Sequence, residues 1–156
     1  MIDAGYSVQE RHDMLEETQW ASEFSWEELK NIAFYLSVSK VTQGMDIFKE
    51  GSEGNCMYII VDGRVNIVKE DMEGHGKVVT AVPRGKAFGE MALFDGERRS
   101  ATVLAAERTT MLVLSKENLH KMMEDYPRLA AKLLFKLGKI ISQRLRATTG
   151  QLVDLI

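Results

Sequence analysis

The sequence predicts a mainly β fold with flanking helices. Between Val38 and Leu114 it consists of short β-branched runs broken by Gly and Asp, which is typical of a sandwich or roll. The segments before and after these runs show helical periodicity instead. We therefore divide the 156 residues into an N-terminal helical segment (1–36), a β-rich segment (37–115) and C-terminal helices (116–156), within one domain overall.

The N-terminal segment predicts packing helices between about Val8 and Tyr35. Within it, Ser25 is followed three residues later by Glu28, which is the spacing of a capping box. Apolar residues at helical intervals follow, starting with Leu29. A helix that begins at Ser25 is therefore expected.

Seven short runs predict the strands of the β-rich segment. Asp62-Gly63 lies between two of them and predicts a hairpin, because both residue types tolerate positive φ. Glu73-Gly74-His75-Gly76 predicts a second reversal. The runs are 38–42, 46–48, 57–61, 65–69, 78–82, 101–105 and 110–114.

The C-terminal segment predicts two helices, one capped by Ser115 and a longer one with Pro127 in its first turn. At about 1.5 Å per residue the longer helix would span roughly 40 Å, enough to pair with a second copy of the chain. The alternative is that it lies back on its own β-rich segment. Its apolar seam, with an average spacing typical of a coiled coil, consists of Leu134, Leu137, Ile141, Leu145, Thr148, Leu152 and Leu155.

Composition excludes several classes of function. A net charge of -3 argues against a surface built for nucleic acid. The single cysteine, Cys56, lies in an apolar run and predicts an inert core thiol. His12, His75 and His120 are scattered, which predicts surface histidines and no metal site. No catalytic arrangement of acid, base or nucleophile stands out, so we expect a protein that is not an enzyme.

The N-terminus has neither a basic nor an apolar region of the kind that directs secretion. No stretch approaches eighteen uninterrupted apolar residues, the length typical of a membrane span. We therefore predict a cytoplasmic protein that does not associate with membranes.

The segment from Phe88 to Thr102 combines the parts of an anion site. Gly89 allows the backbone to approach a ligand closely. Met91 to Phe94 can form one helical turn whose N–H groups attract an anion. After a turn at Asp95-Gly96 the chain presents a guanidinium group. We interpret this segment as a nucleotide pocket.

Three side chains in this segment carry the predicted chemistry. Glu90 supplies a carboxylate for a sugar hydroxyl, Arg99 a planar fork for two phosphate oxygens, and Ser100 a neutral donor. The structural alternatives are that Glu90 caps the short helix or pairs with Arg98, that Arg99 is a surface arginine, and that Ser100 is an ordinary strand residue. The joint order and spacing of these residues favours the pocket.

This segment resembles the phosphate-binding cassette of the cyclic nucleotide-binding domain family, which occurs in bacterial catabolite activator proteins, cyclic nucleotide-dependent kinases and cyclic nucleotide-gated channels. The family reads Phe-Gly-Glu-(Leu/Met)-Ala-Leu, a short loop, then Pro-Arg-x-Ala-Thr. Here Arg98 replaces the Pro, which bears on the stiffness of the loop and removes no ligand. Lys49-Glu50-Gly51 and Gly63-x-Val65 extend the resemblance from about Phe34 to the C-terminus.

The resemblance implies a cyclic nucleotide-binding β-roll of the double-stranded β-helix or jelly-roll type, with the cassette at 88–102. It implies that Glu90 accepts the ribose 2′-hydroxyl, that Arg99 pairs with the cyclic phosphate, and that Thr148 and Thr149 bind the adenine amino group across a dimer of the long helix. The implied ligand-binding residues are Phe88, Gly89, Glu90, Met91, Ala92, Arg99, Ser100, Ala101, Thr148 and Thr149.

The implied function is a regulatory sensor for cAMP, or alternatively cGMP, without a further cofactor. It would form a homodimer through its C-terminal helix and act on an unknown protein effector. Because the chain ends at Ile156, where catabolite activator proteins continue into a DNA-binding domain, we expect no direct DNA binding. The other hypotheses are a degenerate module that binds no nucleotide and serves protein contacts, and an enzyme that acts on a nucleotide.

Overall fold

The computed structural model describes the backbone of residues 2–3 and 5–155 and the side chains of residues 5–150. It separates into two compact units, one up to Leu119 and one from His120 onward. The division into the segments 1–36, 37–115 and 116–156 stays a prediction.

The first unit contains two sheets of antiparallel strands. In the described residues the strands are β1 (Ile2–Asp3), β2 (Ser37–Val41), β3 (Asp46–Phe48), β4 (Cys56–Asp62), β5 (Arg64–Glu70), β6 (Gly76–Pro83), β7 (Ala87–Phe88), β8 (Thr102–Ala105) and β9 (Thr109–Ser115). One sheet has the order β1-β2-β9-β4-β7 and the other β3-β8-β5-β6. The predicted mainly β fold with flanking helices is confirmed.

An apolar core joins strands of both sheets. Alternate residues point inward because side chains along a strand alternate between its two faces. Phe48, Tyr58, Ile47 and Ile67 pack against this core while remaining partly exposed. The buried cluster consists of Val41, Ile60, Val65, Val82, Phe88, Val103, Ala105 and Met111.

All seven predicted strands exist, and their ends differ from the predicted ends by up to two residues. The two-residue strands β1 and β7 were not predicted. The turn at Glu73-Gly74-His75-Gly76 closes the β5–β6 hairpin as expected. The hairpin prediction for Asp62-Gly63 is wrong. β4 pairs with β7 and β9, whereas β5 pairs with β6 and β8, so this turn carries the chain from one sheet to the other.

The N-terminal helical prediction is confirmed in outline but the region is broken into three pieces. These are α1 (Val8–Glu16), a 3₁₀ helix (Gln19–Glu23) and α2 (Trp26–Phe34). The predicted capping box of Ser25 and Glu28 starts α2. A second capping box, Ser7 with Glu10, starts α1 and was missed.

His12 contradicts the prediction of surface histidines. Its side chain is fully buried on α1 and its ring lies 4.8 Å from that of Trp26. Nε2 lies 3.1 Å from the Trp26 carbonyl oxygen, and because a carbonyl can only accept, Nε2–H is the donor of this hydrogen bond. Asp13 approaches Nδ1 and Glu16 approaches Nε2. One ligand atom from each of His12, Asp13 and Glu16 lies within 4.8 Å of the other two.

The second unit contains most of α4 (Lys116–Asp125) and all of α5 (Pro127–Leu155). Both predicted helix starts are confirmed: Ser115 Oγ accepts a hydrogen bond from Asn118 N, and Pro127 is the first residue of α5. Leu133 and Leu137 are buried, whereas every residue from 142 to 150 is exposed. The side chains of the predicted seam residues Leu152 and Leu155 lie outside the described residues. Among the described helices, none combines the length and apolar character needed to cross a bilayer.

Candidate functional site

The cassette at 88–102 folds as strand, short helix, turn and strand. Gly89 follows β7 with φ +78°, a conformation that side-chain-bearing residues rarely adopt. The helix α3 (Ala92–Asp95) then ends at Gly96, with φ +64°. Asp95 Oδ1 accepts a hydrogen bond of 2.9 Å from Glu97 N in the turn that follows. The predicted helical turn and the predicted reversal are both confirmed.

Arg99 is the centre of the site, and the surface-arginine alternative is wrong. Its side chain is only 7% exposed. Nη1 donates to the Gly89 carbonyl oxygen at 3.0 Å, and Nη2 donates to the Cys56 carbonyl oxygen at 2.8 Å. The cassette therefore encloses its own cation and ties it to the backbone at both ends of the guanidinium group.

Two glycines make the space for this guanidinium group. A Cβ on Gly54 would stand 2.2 Å from Arg99 Nε, and one on Gly89 would stand 3.0 Å from Arg99 Nη1. Real Cβ atoms essentially never come as close as the first of these distances. Gly54, on the loop between β3 and β4, is thus part of the site. The sequence pattern did not predict this role.

An aromatic cluster supports the guanidinium group from the core side. The Arg99 Cζ atom lies 3.9 Å from the centroid of the Phe48 ring, within the range of a cation–π interaction. Phe48 contacts Tyr58 and Phe88, and the last two rings stack at 5.1 Å. Phe88 was predicted as a site residue, and it lies in the core rather than beside the cation.

Burial dominates the electrostatics of this cation. Desolvation lowers the pKa of Arg99, and the nearby Tyr58, Cys56 and Glu90 side chains act in the opposite direction. Glu90 is itself only 4% exposed. Among the described residues Arg99 Nε is a buried donor without a hydrogen-bond partner. The site therefore holds a buried positive charge whose hydrogen-bonding capacity is not fully used.

Backbone and side-chain contacts fasten the second half of the cassette to neighbouring strands. Arg99 N donates to Ser52 O and Gly51 N donates to Arg99 O, each at 2.8 Å. Lys69 Nζ donates to Ser100 O at 2.7 Å and lies 3.4 Å from Glu50 Oε2. Lys69 and Glu50 thereby hold the Ser100 backbone in place.

The remaining predicted cassette residues occupy different environments. Ser100 is exposed, and its role as a donor to a bound molecule stays a prediction. Met91 is also exposed, whereas Ala92 is buried and Ala101 is half-buried. The structure thus brings Gly89, Glu90 and Arg99 together, with the other cassette residues on the same segment. Cys56, predicted to be a core thiol, is half-buried.

Thr148 and Thr149 lie on an exposed stretch of α5, in the second unit. The Thr148 hydroxyl donates to the Arg144 carbonyl oxygen and the Thr149 hydroxyl donates to the Leu145 carbonyl oxygen, both at 2.9 Å. Each hydroxyl therefore uses its proton within the helix and keeps its lone pairs as acceptors. Their assignment to the adenine stays a prediction.

A separate cavity of about 430 Å³ lies at the outer edge of the cassette loop. Its six lining residues include two glutamates and exclude Glu90, Arg99 and Ser100. It therefore does not coincide with the predicted phosphate site. The lining consists of Glu53, Gly54, Asn55, Gly96, Glu97 and Arg98.

The fold and the site define a ligand-binding β-roll with an anion cassette between two of its strands. The sequence model of the cyclic nucleotide-binding domain matches residues 38–126, more than half of the chain. The chain belongs to the cyclic nucleotide-binding domain family.

Individual relatives agree with this assignment. The chain is 29% identical over 130 residues to the cyclic AMP receptor protein of Thermus thermophilus, covering 83% of this chain and 58% of that protein. It is 28% identical over 114 residues to the CRP-like cAMP-activated global transcriptional regulator of Mycobacterium tuberculosis, covering 73% and 49%. The chain therefore spans about half the length of these relatives.

A solved structure gives the same result. The cyclic nucleotide-binding domain from Methylobacillus flagellatus superposes with a TM-score of 0.82 at 25% identity, covering 96% of this chain and 84% of that chain. The predicted β-roll with N-terminal helices and a long C-terminal helix is confirmed.

Proposed function

We propose that this chain is a regulatory sensor that binds cAMP and passes its ligand state through α5 to a protein effector. The observation that carries the proposal is the buried Arg99, which has an unpartnered Nε and lies in the same cassette as the buried Glu90. Burying a charge that is not fully hydrogen-bonded is costly, so such a group is typical of a binding site. A cyclic phosphate supplies the missing acceptor.

The mechanism follows from the present contacts of Arg99. Its Nη atoms are bonded to the Gly89 and Cys56 carbonyls, and Gly54 covers its Nε. A phosphate that binds the guanidinium group competes with these bonds and shifts the loops that carry the carbonyls. Glu90 accepts the ribose hydroxyl in the same step. The ligand thereby favours one arrangement of the cassette. The size of this population shift is set by the difference in ligand affinity between the two arrangements.

The preference for cAMP over cGMP rests on Thr148 and Thr149. Because each hydroxyl donates its proton within α5, it can offer only lone pairs to a base. The adenine amino group is a donor and fits such an acceptor, whereas the corresponding guanine oxygen is itself an acceptor. A homodimer formed through α5 would bring these hydroxyls to the purine. The protein would work in the cytoplasm, without catalysis of its own.

One observation favours a second function, a module that binds no nucleotide and serves protein contacts. Arg99 already donates to two carbonyl oxygens and its Nε lies under Gly54. If that arrangement does not open, the cassette is a structural element and phosphate cannot reach the guanidinium group.

The experiment that separates the two functions is a titration calorimetry series with cAMP, cGMP, 5′-AMP and a cyclic dinucleotide. Arg99→Lys and Arg99→Ala should lose most of the affinity for cAMP. Arg98→Ala is the matched control, because Arg98 is exposed and its Nη1 donates only to Gly51 O. A ligand at one hundred times its Kd should also add about 2.7 kcal/mol of stability. Absence of heat and of a thermal shift with every nucleotide would establish the second function.

A further inference from the structure

The long helix α5 has an unusual distribution of charge. Residues 127–153 contain six Lys and Arg residues and no Asp or Glu, although the whole chain carries a net charge of -3. Acidic residues are therefore concentrated elsewhere, and the helix is a local positive feature on an acidic protein. Such a segment attracts anionic partners at short range.

Part of this charge lies on one exposed stripe. Arg128, Phe135, Lys139 and Arg146 follow one another at intervals of 7, 4 and 7 residues, which places them within about 40° of one another on a helix. All of them are exposed, and Phe135 is 83% exposed. Lys132 lies on the edge of the same face. We call these five residues the basic stripe; it extends over roughly 27 Å.

The basic stripe is distinct from the apolar seam of α5. At 100° per residue, Leu145, Ile141 and the buried Leu137 lie about 100°, 140° and 180° around the helix from the centre of the stripe. A dimer formed through the seam would leave the stripe accessible. Two stripes cannot pair with each other, because their cations would be brought face to face. The occupant of the stripe is thus not a second copy of α5.

We propose that the basic stripe docks an acidic amphipathic helix of a partner protein. Carboxylates spaced about three and two turns apart on that helix would pair with Arg128, Lys139 and Arg146. An apolar side chain between these carboxylates would cover Phe135. Protein interfaces typically have an aromatic or apolar centre and a polar, charged rim. A long polyanion such as DNA is disfavoured, because the chain as a whole carries a net charge of -3. The proposal does not depend on nucleotide binding.

The test uses the full chain and three probes in fluorescence anisotropy. The first is a designed 18-residue acidic amphipathic helix with glutamates flanking an apolar stripe, and the second is the same peptide with each Glu replaced by Gln. The third is a short DNA duplex. Binding of the acidic peptide should be stronger than that of the Gln peptide or of the duplex, and it should weaken as salt is raised from about 50 to 300 mM.

Two double variants with the same change in net charge locate the surface. Lys139→Glu/Arg146→Glu should weaken peptide binding by about tenfold or more, whereas Arg84→Glu/Lys86→Glu, exposed in the first unit, should change it by less than about twofold. Phe135→Ser should weaken binding while preserving its salt dependence. Failure of the acidic peptide to bind, equal losses in both double variants, or tighter binding of the duplex would each overturn the proposal.

Discussion

Gly54 covers the guanidinium group of Arg99, and a Cβ at this position would stand 2.2 Å from Nε and 2.5 Å from Cζ. Gly54 has an ordinary backbone conformation, unlike Gly51 and Gly89, whose φ angles are positive. The absence of a side chain is therefore required by the space that Arg99 occupies and not by the turn. The β3–β4 loop and the cassette depend on each other at this point, although Gly54 and Arg99 are 45 residues apart in sequence.

Gly54→Ala should therefore displace Arg99 without straining its own backbone. We expect loss of the bonds from Arg99 to the Gly89 and Cys56 carbonyls, an unfolding free energy lower by about 1–3 kcal/mol, and cAMP affinity reduced by about tenfold or more. Denaturant unfolding and calorimetry measure both effects. Gly138→Ala is the matched control: it lies in α5 with open space around it and should stabilise the chain by up to about 1 kcal/mol. Wild-type affinity in Gly54→Ala would show that the guanidinium group is not what the ligand binds.

The cassette could be predicted from sequence because its chemistry is contiguous. Gly89, Glu90 and Arg99 lie within eleven residues, and the turn at Asp95-Gly96 is encoded by its own residue types. The support around Arg99 is not contiguous. Phe48 and Gly54 come close to Arg99 only when the strands pair. The sequence pattern predicts only a strand residue at Phe48 and a turn residue at Gly54.

The error at Asp62-Gly63 has a similar origin. The residue type correctly indicated a positive φ at Gly63, and the φ angle in the structure is +96°. Local turn chemistry fixes the reversal of the chain but does not decide whether the two strands stay in one sheet. That choice depends on which distant strands, β9 and β8, pair with β4 and β5. The burial of His12 likewise depends on how α1 packs against Trp26 of α2, which the helical periodicity of α1 alone does not show.

Cys56 gives a prediction for pH dependence. Burial raises the pKa of its thiol, and the positive charge of Arg99 opposes this without cancelling it. Because the thiolate is the reactive form, alkylation by iodoacetamide should be slower than that of an unfolded control at neutral pH. The rate should rise only as the pH exceeds the ordinary range for a cysteine. In Arg99→Lys, which keeps the charge, the profile should stay similar, and in Arg99→Ala it should move to still higher pH. A rate at pH 7 equal to that of the unfolded chain would contradict the burial argument.

Lys69 should act on ligand binding through the position of Ser100. Lys69→Gln removes the charge at the Ser100 carbonyl and the contact with Glu50. As Lys69 is exposed and Glu50 is half-buried, the pair is screened by solvent, and we expect stability to fall by less than about 1 kcal/mol. The affinity for cAMP should fall by about threefold, because the Ser100 backbone is less well held. Lys77→Gln, on the neighbouring strand β6, removes an ion pair with Asp71 in the β5–β6 turn and is the control. Equal affinity in the two variants would remove Lys69 from the site.

Thr148 and Thr149 should set the choice of base. Since both hydroxyls donate to helix carbonyls, they present acceptors and favour the adenine amino group. Thr148→Ala/Thr149→Ala should lower the ratio of cAMP to cGMP affinity by about fivefold to tenfold, mainly through weaker cAMP binding. Thr148→Ser/Thr149→Ser retains the hydroxyls and should preserve the ratio, which distinguishes hydrogen bonding from packing. Competition calorimetry measures both ratios. An unchanged ratio in the alanine variant would assign the base preference to another part of the protein and leave the phosphate role of Arg99 intact.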